Sequence, residues 1–136
     1  MGRVVCIDFG LKRLGVAISD ESRMIATPLP TIQADAQTAG TIKQLLRLLE
    51  PYTIEKIIVG YPLHMDGRVS FLADEVKHFI SLLQKEVPYE VLLWDERLST
   101  RQADRSLREG GFSRKKRKQR VDSVCALILL QSYLGY

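Results

Sequence analysis

Four acidic residues occur at positions in the sequence that are typical of ligands for a metal ion. Asp8 ends a short stretch of Val and Ile, and Asp95 and Glu96 directly follow a second apolar stretch that ends at Trp94. Asp122 comes directly after a run of basic residues. An ionised carboxylate at the end of a buried strand is costly unless it is hydrogen-bonded, paired or bound to a cation. The pattern therefore predicts that acids from distant segments meet at one edge of a sheet.

Such a cluster would suit hydrolysis of a phosphodiester bond. Mg²⁺ and Mn²⁺ prefer oxygen ligands, and Mg²⁺ keeps waters and substrate phosphates among its ligands. Two such ions roughly 4 Å apart can activate a water and stabilise the leaving oxygen. No histidine, serine or cysteine nucleophile is then needed, and His64 and His78 have no evident catalytic partner. The prediction is a site with two Mg²⁺ or Mn²⁺ ions.

Each acid also has a purely structural interpretation. Asp8 could cap a turn or form an ion pair with Lys12 or Arg13. Asp122 could stabilise a helix by complementing its dipole. Strand alternation sends Asp95 and Glu96 to opposite faces of the sheet, and the sequence pattern does not choose which of them joins Asp8.

Basic residues flank the predicted acidic site, although the net charge is only +4. Six of them fall within seven residues, and the rest of the chain is then slightly acidic. This run could be a solvated surface, but its concentration favours contact with a polyanion. We expect the following residues to bind the phosphate backbone: Lys12, Arg13, Arg97, Arg101, Arg105, Arg114, Lys115, Lys116, Arg117, Lys118 and Arg120.

The periodicity of apolar residues predicts the elements that carry these side chains. Strands are predicted over residues 3–8, 14–19, 24–32, 56–60 and 89–95, with Pro28 and Pro30 placing the third at a sheet edge. Helices are predicted over 35–50, from Ser70 to Pro88, over 99–109 and from Val121, with Asp35 and Ser70 as caps of the first two. The turn-shaping residues are Gly10, Gly15, Gly60, Pro62 and Gly67.

This order of elements predicts an α/β fold with a mixed five-stranded sheet, in which helical crossovers make the later strands parallel to the first. The length of 136 residues suits one domain spanning 1–136. No apolar run approaches the roughly 20 residues that cross a bilayer, so we expect a cytoplasmic protein without membrane contact. Cys6 and Cys125 lie in apolar runs and are expected to be reduced core thiols.

Four segments, in order, resemble the YqgF family of predicted Holliday-junction resolvases, which is also linked to maturation of the precursor of small-subunit ribosomal RNA. They are residues 8–20 (DFGLKRLGVAISD), 59–63 (VGYPL) with Asp66-Gly67, 95–100 (DERLST), and 114–122 (RKKRKQRVD). The sequence departs from the family at His64, which is often Asn, and at Val124-Cys125, where small residues are usual.

The resemblance implies a ribonuclease-H-like fold with a three-strand antiparallel meander and two further parallel strands. It implies an endonuclease in which Asp8, Glu96 and Asp122 are the catalytic, metal-binding acids, and it favours Glu96 over Asp95 by resemblance alone. The implied partners are structured RNA, branched DNA or a ribosome precursor. Symmetric cutting of a four-way junction would need a homodimer, and no feature of the sequence establishes one.

Two other functions fit parts of the sequence. A non-catalytic nucleic-acid-binding or ribosome-assembly factor would keep the fold and the basic run without hydrolytic activity. A phosphate-binding fragment of the actin-like ATPase type would share the opening hairpin, but those folds need two such domains and this chain has room for one.

Overall fold

The computed structural model describes residues 2–10, 12–61, 69–95 and 126–135. Its helices and strands follow in this order: β1 (Arg3–Asp8), β2 (Arg13–Ser19), β3 (Ala26–Gln33), α1 (Thr38–Leu49), β4 (Ile54–Tyr61), α2 (Val69–Glu86), β5 (Glu90–Asp95) and a helix α3 over 126–134. The strands predicted from the sequence are all present, with ends that differ by one or two residues. The predicted helix over 99–109 lies outside the described residues.

The five strands form one mixed sheet in the order β3-β2-β1-β4-β5. β1, β2 and β3 form an antiparallel meander, whereas β4 and β5 run parallel to β1. This arrangement confirms the predicted fold class. It also confirms β3 as an edge strand, where Pro28 and Pro30 withhold two backbone donors from any further strand.

α1 begins two residues later than the sequence pattern predicts. Its first residue is Thr38 and its N-cap is Gln37, which makes no capping bond through its side chain. Asp35, the predicted cap, instead accepts a hydrogen bond from the Gln37 amide at 3.1 Å and donates its own amide to the Thr41 hydroxyl at 2.8 Å. These local bonds form a turn before the helix, so the prediction of Asp35 as the cap was wrong.

α2 was predicted with the correct apolar face but the wrong cap. The spacing predicts an apolar face of Leu72, Val76, Phe79 and Leu83; the last three are buried, and the side chain of Leu72 is outside the described part of the structure. Ser70, the predicted cap, lies inside a helix that already includes Val69. The apolar spacing was the better guide because tertiary packing, rather than the terminal signal, provides most of a helix's stability.

The sheet has two differently covered faces. On the first, here called the α1/α2 face, Val5, Ile7 and Val59 pack with side chains of both helices. On the second, the α3 face, Cys6, Ala17 and other buried residues pack against α3. Cys6 is a buried thiol, as predicted, whereas Cys125 is outside the described residues.

α3 packs through a face that the sequence placed about one residue away. The described residues of α3 in the core are Ala126, Leu129 and Leu130. The sequence spacing predicts an apolar face of Val121, Val124, Cys125 and Ile128; the structure describes only Ile128 of these, and it is half-buried. The predicted start of this helix at Val121 lies outside the described residues.

Candidate active site at the carboxyl ends of the parallel strands

Asp8 is the last residue of β1 and its side chain is half-buried. The register of the sheet pairs Asp8 with Gly15 of β2 on one side and with Gly60 of β4 on the other. Gly60 is in turn paired with Trp94 of β5. One cross-strand row therefore contains, in order, Gly15, Asp8, Gly60 and Trp94, and we call it the Asp8 row.

Asp8 is thus flanked on both neighbouring strands by residues without a side chain. Directly paired residues project to the same face, with Cβ atoms about 4.5–5.5 Å apart. Any larger residue at position 15 or 60 would place its Cβ beside the Asp8 carboxylate. Gly15 and Gly60 had been predicted to shape turns, but both lie inside strands, so that role was wrong for these two.

Gly10 lies where the chain leaves β1 and turns towards β2. A Cβ built on Gly10 would lie 2.6 Å from the carbonyl oxygen of Arg13, a distance that real Cβ atoms essentially never reach. A larger residue would force the turn open. Gly10 therefore allows the close approach of the backbone that brings β2 back alongside Asp8.

The Asp8 row lies on the α3 face. Two residues before Asp8, Gly60 and Trp94 on their strands lie Cys6, Ile58 and Leu92, respectively. These three residues pack with the side chains of α3, and alternation along each strand places the row on the same face. Alternation along β2 places Arg13 on the same face, two residues from Gly15. Arg13 is half-buried and Lys12, in the preceding turn, is exposed. These are the two predicted phosphate-binding residues that the structure describes.

Trp94 is a member of this row that the sequence interpretation missed. Its ring meets that of Tyr133 of α3 in an edge contact, with centroids 5.1 Å apart and planes at 78°. The Tyr133 hydroxyl accepts a hydrogen bond of 2.9 Å from Lys56 Nζ, and this bond raises the pKa of Lys56. One signal was available, since Trp94 directly precedes the acidic pair Asp95-Glu96.

Asp95 is the one further candidate acid within the described residues. Asp95 ends β5 at the same sheet edge as Asp8, because Tyr61, its partner in register, follows Gly60 directly. The following predicted residues lie outside the described part of the chain: Glu96, Asp122, Pro62, Gly67, Arg97, Arg101, Arg105, Arg114, Lys115, Lys116, Arg117, Lys118 and Arg120.

The described part of the site is compatible with a hard divalent cation. A carboxylate is the type of ligand that Mg²⁺ and Mn²⁺ prefer, and the side chains absent at Gly15 and Gly60 are those that would fill the space beside Asp8. Within the described ranges, no group of three His, Cys, Asp or Glu side chains could hold a metal ion. Of the three predicted metal ligands, Asp8 is the one within the described ranges.

A cavity of about 270 Å³ opens near the same edge but on the other face of the sheet. Its lining includes Phe9, Phe79, Asp35 and Glu75. The two ring systems are in contact, with centroids 5.2 Å apart. No Lys or Arg lines this cavity among the described residues, whereas Arg13 lies on the same face as Asp8, so the Asp8 row is the better candidate for contact with a phosphate.

Solved structures share the fold across nearly the whole chain. The T. thermophilus RuvC protein in complex with a Holliday-junction substrate has a TM-score of 0.60, 14% identity, and 99% of this chain and 97% of that one covered. The fowlpox virus resolvase, solved with Holliday-junction DNA, has a TM-score of 0.58, 15% identity, and 97% and 96% covered. The chain therefore has the fold of these two proteins, in agreement with the predicted ribonuclease-H-like fold.

The family follows from sequence. The family model described as "RuvX: Holliday junction resolvase" matches residues 2–136, and the chain belongs to this family of nucleases. A relative from Protochlamydia amoebophila is 50% identical over 97% of this chain and 92% of its own length, and one from Geobacillus sp. is 43% identical over 97% and 96%. Both carry the description "Putative pre-16S rRNA nuclease". The resemblance drawn from the four segments is confirmed.

The helices give no sign of membrane insertion. Among the described residues, no helix combines the length and the apolar character that a membrane span requires.

Proposed function

We propose that this chain is a metal-dependent endonuclease that hydrolyses phosphodiester bonds in structured nucleic acid in the cytoplasm. Asp8, Glu96 and Asp122 are the proposed catalytic residues and would hold two Mg²⁺ or Mn²⁺ ions. The observation that carries the proposal is Asp8 itself, a half-buried carboxylate between two glycines at the edge where three parallel strands end.

The register of β5 supports Glu96 as the second acid. Ile58 of β4 pairs with Cys6 of β1 on one side and with Leu92 of β5 on the other. In the same way, Gly60 pairs with Asp8 and with Trp94, so Leu92 and Trp94 project to the same face as Asp8. If the alternation of β5 continued for one residue beyond Asp95, Glu96 would follow Trp94 on this face, whereas Asp95 alternates with Val91, which packs on the opposite face. This reasoning is independent of the family resemblance and agrees with it.

The position of α3 supports Asp122 as the third acid. Ala126 is buried against the α3 face together with Cys6, which is two residues before Asp8. Asp122 precedes Ala126 by four residues, which is about one turn of a helix. A helix that continued back by one turn would therefore bring this carboxylate towards the same end of the sheet.

The residues have distinct proposed roles. When bound, the divalent ions would supply activation of water and stabilisation of the leaving oxygen. The three acids hold the ions in place, and Arg13 with Lys12 contacts the phosphate backbone next to Asp8. Arg97, Arg101 and Arg105, together with the basic run from Arg114 to Arg120, extend that contact along the nucleic acid.

The substrate is proposed to be the precursor of small-subunit ribosomal RNA or a four-way DNA junction. The description of the two relatives as pre-16S rRNA nucleases favours the first. The description of the family as Holliday-junction resolvases favours the second. Both present a folded or branched backbone, so the two can be compared in a single experiment.

The test is a cleavage assay of the wild-type chain, Asp8→Asn and the matched control Asp74→Asn, whose acid is exposed on α2. Each is incubated with precursor ribosomal RNA and with a four-way junction, in Mg²⁺, in Mn²⁺ and in chelator. We expect metal-dependent cutting, slowed by Asp8→Asn more than about 100-fold because a direct ligand is lost. Asp74→Asn should cut at the wild-type rate.

Two results would contradict the proposal. If Asp8→Asn cut as fast as the wild-type chain, Asp8 would have no catalytic role. If the wild-type chain bound both substrates but cut neither in any metal, it would be a binding or assembly factor on the same fold. Mn²⁺ titration by calorimetry adds a readout without substrate, in which Asp8→Asn should bind the ion more weakly.

A further inference from the structure

Trp94 is the only tryptophan of the chain and 36% of it is exposed. A side chain of this size at the end of an apolar strand is usually more completely covered, because it offers the largest apolar area for burial. Leu92, the preceding residue of β5 on the α3 face, packs against the buried residues between the sheet and α3. Within the described residues, the exposure on this face of β5 is therefore concentrated at its carboxyl end, next to the proposed active site.

Trp94 and Asp8 are separated by a single glycine in the Asp8 row. Adjacent strands are about 4.8 Å apart, so two strands separate the backbones of Asp8 and Trp94 by roughly 10 Å. Gly60 between them adds no side chain on this face. The row thus places a carboxylate on β1 and an aromatic residue on β5, with a residue that has no side chain between them.

The aromatic ring is held in place by its neighbours on the α3 face. Tyr133 contacts it edge-on, and the Tyr133 hydroxyl is bonded to Lys56, which also lies 3.7 Å from the Glu90 carboxylate. A ring that is already oriented loses little conformational entropy when a ligand stacks on it. The exposed part of Trp94 is therefore a preformed surface for a flat ligand.

We propose that Trp94 stacks on a nucleobase close to the scissile phosphate and so positions the nucleic acid over Asp8. The inference rests on the proposed function for the placement of that phosphate. Base–aromatic stacking needs no particular base, because every base has a π face. Stacked nucleotides rise by about 3.4 Å, so the roughly 10 Å between the backbones of Asp8 and Trp94 corresponds to up to about three nucleotides.

The stacking partner must be an unpaired or displaced base. In an intact duplex both faces of a base are covered by its neighbours, and a side chain reaches a base face only where the stack is interrupted. Trp94 would therefore favour single-stranded segments and branch points over continuous duplex. This adds a specificity determinant that phosphate contacts cannot provide.

The test uses the fluorescence of Trp94, whose emission is unambiguous because the chain has no second tryptophan. The full chain is titrated in chelator, so that nothing is cut, with a labelled hairpin that has a single-stranded overhang. A second probe has abasic nucleotides in that overhang, and both probes are made as RNA and as DNA. Anisotropy of the label measures binding separately from the tryptophan signal.

We expect the overhang to quench Trp94 and the abasic probe to bind without quenching. Trp94→Ala should weaken binding of the overhang about tenfold or more, while Trp94→Phe retains most of the affinity. Leu93→Ala is the matched control, because Leu93 is the adjacent residue, is 42% exposed and lies on the opposite face. Whichever of the RNA and DNA probes binds more tightly in the anisotropy titration identifies the preferred backbone.

Binding of the overhang without any change in Trp94 emission would overturn the proposal, even if Trp94→Ala failed to fold. Equal affinity of wild-type and Trp94→Ala chains for the overhang would also overturn it. These results do not depend on cleavage. A chain that stacks through Trp94 but never cuts contradicts the nuclease proposal alone, and a chain that cuts without this signal contradicts the stacking proposal alone.

Discussion

The two faces of the sheet differ in the size of the side chains that cover them. On the α1/α2 face, large side chains such as Phe79, Leu83 and Leu45 are fully buried. On the α3 face, the small residues Cys6, Ala17 and Ala126 contribute to the core beside the larger Ile58, Leu129 and Leu130, and the row at the carboxyl end contains two glycines. Among the described residues, the α1/α2 face therefore holds the larger buried cluster, and the α3 face has no side chain on either strand next to Asp8.

This difference follows from what each face is required to do. Burial of apolar area stabilises the fold by about 25 cal/mol for each Å², so large side chains are favoured where nothing else has to fit. A cation and a phosphate need room and oxygen ligands, which large apolar side chains would exclude. The comparison therefore predicts that mutations on the α1/α2 face change stability and that mutations in the Asp8 row change binding.

The largest expected effect is on the free energy of unfolding, when one buried leucine on each face of the sheet is replaced by alanine. Leu83→Ala on the α1/α2 face and Leu130→Ala on the α3 face each remove a fully buried leucine side chain. We expect Leu83→Ala to lower the free energy of unfolding by about 3–5 kcal/mol and Leu130→Ala by about 2–3 kcal/mol, because the first leaves a cavity in the larger cluster. Urea unfolding of both variants measures the difference. A larger loss for Leu130→Ala would show that the α3 face carries the stability.

An intermediate effect is expected from adding a methyl group beside Asp8. Gly60→Ala should weaken Mn²⁺ binding about tenfold, because the new Cβ lies next to the carboxylate on the same face. The melting temperature should stay the same or rise slightly, since alanine reduces the freedom of the unfolded chain. Calorimetric titration and thermal melting measure the two quantities.

Gly15→Ala tests the other side of the same row and should behave in the same way. If either alanine left Mn²⁺ affinity unchanged while lowering stability, the glycines would serve packing rather than the site. That outcome would remove the proposed contrast between the two faces.

The smallest effect is expected at the hairpin between β2 and β3, at the end of the sheet away from Asp8. Asp20 accepts hydrogen bonds from the Ser22 hydroxyl and from the amides of Ile25 and Met24, and these bonds lower its pKa below the ordinary value of 3.8. A lowered pKa in the folded state stabilises the protein above pH 3.8, and this contribution is lost as the pH falls through the lower value. Asp20→Asn should therefore be less stable than wild type at pH 7.

The same stability difference should shrink below about pH 4, where the wild-type carboxylate becomes protonated as well. Unfolding curves of both chains from pH 7 to pH 2.5 follow this change. Cleavage at pH 7 should be unaffected, because the hairpin is remote from the Asp8 row. A loss of cleavage in Asp20→Asn would contradict that separation.

The sequence predicted the α1/α2 face of the sheet better than the α3 face. The spacing of Ile42, Leu45, Leu46 and Leu49 predicts one apolar face of α1, and in the structure Leu46 is partly buried and the other three are buried. The caps were less well predicted. Asp35, two residues before the N-cap Gln37, forms a turn instead, because alternative local hydrogen bonds of such side chains have similar energies. On the α3 face, no periodic signal indicated that Trp94 belongs with Asp8.

The sequence by itself determined the strands and helices, the antiparallel meander, the position of Asp8 at a strand end and, through its motifs, the family. Those features depend on the types and the spacing of residues that are close along the chain. Only the tertiary structure decided that Gly15, Asp8, Gly60 and Trp94 form one row. Register between strands depends on contacts between residues far apart in sequence, and local periodicity does not record those contacts.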